Sequence, residues 1–259
     1  MSLRMNPSSA TLTDQLRFTT IAHRDHVFLS PLSAAKVDQV LSMLELPRGA
    51  RVLDLGCGKG EILVRLAERC GVRGEGVEAN PDFIRDARER AEARAPAAGL
   101  AFHERSIADF PAEPGSCDAA LCVGSTRAFG AYADALHALA RIVRPHGRLL
   151  VGQNFWRRHP HPDYLEALGA CVEDFTDHPR NVRAGEEAGL VPICTAESTE
   201  DEWNRYEERR ARAVEAFVAE HPEDPEAEAM REHIGRWREA YEHWGRDTLG
   251  FGLYVFQKR

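Results

Sequence analysis

Short apolar runs and amphipathic stretches alternate along most of this chain. RVLDLG, residues 51–56, is an apolar run closed by glycine, the pattern of a strand buried on both faces of a parallel sheet. EILVRLAERCG follows as an amphipathic helix that Gly71 stops. The couple then repeats: strand GEGVEA, helix PDFIRDARERAEARA with Pro81 in its first turn, and strand LAFHERS. CDAALCVG, YADALHALARIVR and RLLVGQNFW continue as strand, helix, strand. Helical signal returns over 163–188, and VPICTAES reads as a sixth strand. Such regular succession implies βαβ crossovers and a parallel sheet with helices on both faces.

Both ends of the chain depart from this rhythm. Residues 11–46 read as helix, loop, helix, broken at Ser30-Pro31, with Leu32, Val37, Val40, Leu41 and Leu44 at roughly helical spacing. In residues 200–247, Trp203, Tyr206, Arg210, Val214 and Phe217 mark one helix face. HPEDPEAE turns into a second helix, with Trp237, Tyr241 and Trp244 at i, i+4, i+7. These aromatic faces must bury against something, because three of the chain's four tryptophans exposed together would be costly. FGLYVFQ closes the chain as a last strand. The division expected is 1–46 as a helical lid segment, 47–199 as the core, 200–247 as a helical insertion and 248–259 as the final core strand.

Composition narrows the function. The 259 residues are 43% hydrophobic and 29% charged, which excludes wholesale disorder. No apolar run approaches the ~20 residues of a membrane span, and the opening MSLRMNPSSA lacks the apolar core of a signal peptide. Six scattered cysteines, with no CxxC pair, suit a reducing, cytoplasmic setting better than disulfides or a zinc site. The net charge of −8 resides wholly in residues 197–247, which hold 16 acids and 8 arginines; the remainder is neutral. A phosphate backbone requires a basic face, so nucleic acid is not an expected partner.

The most informative segment is VLDLGCGKGE, residues 52–61. It sets Gly56, Gly58 and Gly60 at the turn from first strand to first helix, where glycine admits positive φ and close approach of a ligand. A dinucleotide turn wants GxGxxG, but the last position counted from Gly56 is Glu61, whose carboxylate would face a pyrophosphate. S-adenosylmethionine carries no phosphate; it has an amino-acid end, a ribose and a sulfonium. Asp54, before the turn, is placed to attract the ammonium group. Glu78, 24 residues on at the end of GVEAN's strand, is placed to accept both ribose hydroxyl protons.

These residues resemble the class I S-adenosylmethionine-dependent methyltransferase family, over about residues 48–155 plus the final strand. DLGCGKG is similar to that family's motif I and Glu78 to its ribose-binding acid. RSIADFP resembles the segment that contacts adenine, with Ser106 standing where the family often has Asp. CDAALCVGS resembles motif IV, whose backbone runs under the methionine moiety. The resemblance implies an α/β, Rossmann-like, seven-stranded, mostly parallel sheet. It also implies S-adenosyl-L-methionine held by Asp54, Gly56, Cys57, Gly58, Gly60, Glu78, Ala79, Asn80, Ser106, Ile107, Ala108, Val123 and Gly124. FLSPLS before a helix, NFW after the fifth strand, and an aromatic acidic insertion ending in WGRDTLGFGLYVF resemble a bacterial branch that methylates small molecules.

Methyl transfer from a sulfonium is a direct displacement that needs no obligatory catalytic residue; a base helps only if the acceptor must lose a proton. His26 is a candidate acceptor-side base and Arg127 a candidate carboxylate holder. Gln153, Asn154, Phe155, Trp156 and Tyr206 are expected to line the acceptor pocket. His23 and His26 have HxxH spacing, but no third ligand is placed, so no metal is expected. The acidic insertion either is a solvated helix face or favours a cationic acceptor. Two other readings stay open: a protein or nucleic-acid methyltransferase, and a non-catalytic cofactor-binding protein. Oligomeric state is left undetermined.

Overall fold

The computed structural model describes residues 12–259, so the expectations for residues 1–11, including the start of the lid segment, lie outside the described residues. Seven strands form one sheet: β1 (Arg51–Leu55), β2 (Arg73–Glu78), β3 (Ala101–Glu104), β4 (Cys117–Val123), β5 (Val143–Trp156), β6 (Leu190–Glu197) and β7 (Leu249–Lys258). Their order is β3-β2-β1-β4-β5-β7-β6. The first five pair in parallel, and β7 runs antiparallel between β5 and β6. The seven-stranded, mostly parallel, Rossmann-like sheet expected from the sequence is the one observed.

Successive side chains of a strand point to opposite faces, and the core divides accordingly. Val52, Leu121 and Leu150 join one apolar cluster, whereas Leu53, Cys122 and Leu149 join the other. Among the helices, α1 (Leu12–Ala22), α2 (Ala34–Ser42), α3 (Glu61–Cys70) and α4 (Pro81–Arg94) contribute to the first cluster, while α5 (Tyr132–Ile142) contributes to the second. β1 is flanked by β2 on one side and β4 on the other, so the winding reverses there. A crevice therefore opens beyond the carboxyl ends of β1 and β4, where open α/β sheets bind ligands.

The helical stretch at 163–188 is two helices, not one: α6 (Pro162–Leu168) and α7 (His178–Glu187). Gly169 ends the first in the left-handed conformation, and Asp177 caps the second by accepting from Arg180 N at 2.8 Å. Between them Phe175 enters the core.

The insertion forms α8 (Glu200–Glu220), capped by Thr199, and α9 (Ala227–Ala240). Trp203, Tyr206, Arg210 and Val214 are buried as the spacing predicts, and Phe217 is half-buried. The regular i, i+4, i+7 face beyond Trp237 is interrupted, because Tyr241–Gly245 make one π-helical turn. Trp237 and Tyr241 stay in the core, and the half-buried Trp244 packs at its edge and stacks on His161 at 5.4 Å between centroids.

Candidate functional site

From β1 the chain turns through residues 56–60 into α3. Gly56 (φ +85°) and Gly58 (φ +51°) hold left-handed conformations that disfavour any side chain. Space excludes one as well. A Cβ on Gly56 would lie 2.3 Å from Ser125 Oγ, and one on Gly58 would lie 2.6 Å from Leu29 Cδ1. The turn thus runs hard against the loop after β4 and against the N-terminal segment.

Glu78, at the end of β2, braces this turn. Its Oε2 accepts from Gly58 N at 3.2 Å and its Oε1 from Asn80 N at 2.9 Å. Burial raises its pKa, partly offset by the N–H groups of Asn80, Gly58 and Ala79. Asp54 is 2% exposed, and burial together with the nearby Glu78 charge pushes its carboxyl up to about 7. Among the described residues no side-chain cation pairs with Asp54. Burial likewise pushes the Cys57 thiol up, which makes it a poor nucleophile.

The N-terminal segment is tied to this crevice by two side chains. Lys59, buried in the glycine turn, donates from Nζ to the carbonyls of His23 and Arg24, each at 3.0 Å, at the C-terminal end of α1. A cation there complements the helix dipole. Asn80 donates from Nδ2 to Thr20 Oγ1 at 2.9 Å while its Oδ1 caps α4. On the other side α1 meets the insertion: Arg17 pairs with Asp224 and Glu226, and Arg24 with Glu220 at 3.1 Å. Lys36 and the amide of Ser33 hold Glu202.

These elements enclose a cavity of about 450 Å³, within the ~300–1,000 Å³ range of small-molecule sites. Asp54, Gly56, Cys57 and Gly58 line it at the first turn, with Glu78, Ala79 and Asn80 beside them. Ser106 and Ile107 line it after β3, and Val123 and Gly124 after β4. Of the residues expected to line an acceptor pocket, Gln153, Asn154 and Tyr206 line this cavity. Thr126 donates to Gln153 Oε1, fixing that amide.

Other expected site residues stand elsewhere. Gly60 is outside the wall, since a Cβ there would strike Phe102 and Ala87 at 2.8 and 2.9 Å; its role is helix–sheet packing. Ala108 also lies off the cavity, its N–H donated to Ser106 Oγ at 3.3 Å. Phe155 packs on Gly250 and the edge of His178, and Trp156 packs on Phe175 with its indole N–H on the Val172 carbonyl. Arg127, by contrast, does line the cavity, at its edge, with a side chain 56% exposed and 3.5 Å from Asp174.

His26 does not line the cavity; its Nε2–H donates to the Tyr206 carbonyl at 3.1 Å, and burial lowers its pKa to about 4. His23, which does line it, donates from Nδ1 to the Thr19 carbonyl and accepts the Tyr206 hydroxyl proton on Nε2 at 2.8 Å. Burial, then the Arg210 charge, keeps His23 neutral. With both Nε2 atoms engaged by Tyr206, the HxxH pair is a structural clasp. Among the described residues no group of three or more His, Cys, Asp or Glu is placed to hold a metal.

Sequence reasoning passed over Lys59, Glu207, Trp203 and Trp237 as site residues and read Arg210 only as part of a helix face. All five line the cavity. Spacing placed Arg210 and Trp203 on one stripe, but a stripe does not reveal that it faces a cavity.

A sheet of this order, with a glycine turn after β1 and a carboxylate closing β2, defines a nucleoside-binding α/β enzyme. The family model for a methyltransferase domain matches residues 46–209. A methyltransferase from Geobacter sulfurreducens in complex with S-adenosyl-L-homocysteine is 28% identical, with a TM-score of 0.88, covering 94% of this chain and 98% of that one. One from Thiobacillus denitrificans, also with S-adenosyl-L-homocysteine, is 30% identical with a TM-score of 0.86, over 94% and 98%. The 27-O-demethylrifamycin SV methyltransferase of Amycolatopsis mediterranei is 26% identical over 96% of this chain and 93% of its own. The chain belongs to the class I S-adenosylmethionine-dependent methyltransferases, and S-adenosylmethionine is its methyl donor.

Proposed function

We propose that this enzyme methylates a small molecule enclosed between the N-terminal segment and the insertion, by direct in-line transfer. The observation that carries this is the continuity of the cavity. It runs from Asp54 and Glu78 at one end to Phe175, Trp203, Tyr206, Trp237 and Phe251 at the other. An acceptor gripped by these walls is small and largely apolar, whereas a protein or nucleic acid requires an open cleft. The rifamycin methyltransferase supports the same class of acceptor. Continuity of the two ends also favours catalysis over mere cofactor binding. Six uncross-linked cysteines and the absence, among the described helices, of one long and apolar enough to cross a membrane suit a cytosolic reaction.

The residues fit the donor. Asp54 is a buried carboxylate without a cation of its own, suited to the ammonium end. Glu78, beside its backbone bonds, has lone-pair capacity left for the ribose hydroxyls. Ile107 and Ser106 would hold the adenine, and the backbone at Val123 and Gly124 would hold the methionine portion. When bound, S-adenosylmethionine supplies a methyl group already activated by its sulfonium. The chain's part is to align the acceptor and exclude water, for which α1 and the insertion act as a lid. No side chain is assigned as a base, since His23 and His26 are held neutral and poorly basic.

Methyl-labelled S-adenosylmethionine incubated with the enzyme and a cell extract is expected to leave label in the low-mass, solvent-extractable fraction. Label confined to protein or RNA would refute the reading. A second outcome concerns protons. With its pKa at about 7, Asp54 is largely protonated at pH 6 before the donor binds. An ammonium group beside it favours the carboxylate, so binding S-adenosylhomocysteine releases up to one proton near pH 6, and progressively less above pH 7. Calorimetry in buffers of different ionisation enthalpy reads this directly; no buffer dependence, or proton uptake, would show that Asp54 does not meet the ammonium.

A further inference from the structure

The far wall of the cavity carries one buried ion pair, and its unfinished bonding indicates what the acceptor brings. Arg210 is 3% exposed and Glu207 7%. The guanidinium donates from Nη1 to Glu207 Oε2 at 2.8 Å, and the Trp237 indole N–H donates to that same oxygen at 2.6 Å. The Tyr206 and Trp237 rings lie 5.8 and 5.7 Å from the Arg210 carbon, holding the group in place. Its Nε–H has no acceptor. A guanidinium offers five N–H donors in a fork suited to a carboxylate, and this one is only partly used.

Among the described residues, the buried side-chain polar atoms left without a partner include just two from the cavity wall, Arg210 Nε and Trp203 Nε1. Both are donors. Leaving such groups unpaired is costly, and a ligand that supplies oxygen acceptors recovers that cost. The insertion's acids do not oppose this. Of them only Glu207 lines the cavity, already neutralised by Arg210; the other buried one, Glu202, is held by Lys36 and the rest lie at or near the surface.

We propose that Arg210 docks an anionic oxygen of the acceptor, a carboxylate, phenolate or enolate, so that the enzyme selects acidic planar molecules over amines. This rests on the cavity being the acceptor site and is the opposite of the cationic acceptor that the insertion's acidity suggests. Protein saturated with S-adenosylhomocysteine is titrated in a calorimeter with three isosteric probes: 2-naphthoate, 2-naphthamide and 2-naphthylmethylamine. Naphthoate is expected to bind at least tenfold tighter than the other two. Arg210→Met removes the preference. Glu207→Gln, which frees the guanidinium from its counter-charge, tightens naphthoate severalfold. Equal affinities, an amine preference, no naphthoate binding, or a weakened naphthoate complex in Glu207→Gln overturns the proposal. Should Arg210→Met fail to fold, the natural protein and Glu207→Gln still decide. Failure of S-adenosylhomocysteine itself to bind would instead strike the methyltransferase reading.

Discussion

Glu78→Ala is expected to bind S-adenosylhomocysteine at least a hundredfold more weakly than the natural protein while remaining folded. Two hydrogen bonds from ribose hydroxyls to a carboxylate are lost, each worth about 1.5–3 kcal/mol. Even the lower total, about 3 kcal/mol, is more than two powers of ten in affinity. The side chain also braces the glycine turn through Gly58 N and Asn80 N, so its loss loosens the cradle as well as the ligand. Glu78→Gln keeps the shape and one acceptor oxygen but not the charge, and should fall between. Titration calorimetry measures both, and an unchanged dissociation constant would mean the ribose lies elsewhere.

Lys59→Met should unfasten the N-terminal segment. The ammonium is buried, bonded to two carbonyls at the end of α1 and 3.4 Å from Asp86. A methionine fills the volume but leaves both carbonyls without that donor. The cost is about 3 kcal/mol, the low end for disrupting a buried ionic group, or roughly 6–12 °C in Tm at about 2–4 °C per kcal/mol. Since α1 closes over the cofactor end, bound S-adenosylhomocysteine should also dissociate faster, and proteolysis within residues 23–31 should accelerate. If thermal stability falls but the dissociation rate and the cleavage pattern hold, α1 is docked by its other contacts and Lys59 is not the fastener.

The cofactor end of the site was open to reading in one dimension because its parts are local. Gly56 and Gly58 fall within one turn and Glu78 closes the very next strand, so chain connectivity alone brings them together. Adjacent parallel strands put Leu55 opposite Val77. Gly60 shows the limit of that reasoning, since its spacing is that of a ligand-contacting glycine and its neighbours are Phe102 and Ala87. Phe155 and Trp156 show another: a strand end names which residues are near a pocket, but Gly250 and Phe175 decide which way they pack.

At the aromatic end of the cavity the deciding contacts join residues far apart in the chain. Tyr206 meets His23 across 183 positions, and Trp237 meets Glu207 across 30. The succession of strands and helices, the glycine turn and the carboxylate closing β2 were written in hydrophobic period and local spacing, because each depends on neighbours a few residues away. Which lysine pins α1, which histidine faces the cavity, and that an acidic insertion presents it with an arginine emerged only on folding. Burial changes what composition suggests: the insertion's surface carboxylates are screened by water, while Arg210 and Glu207 are taken out of it together and face the cavity as a pair.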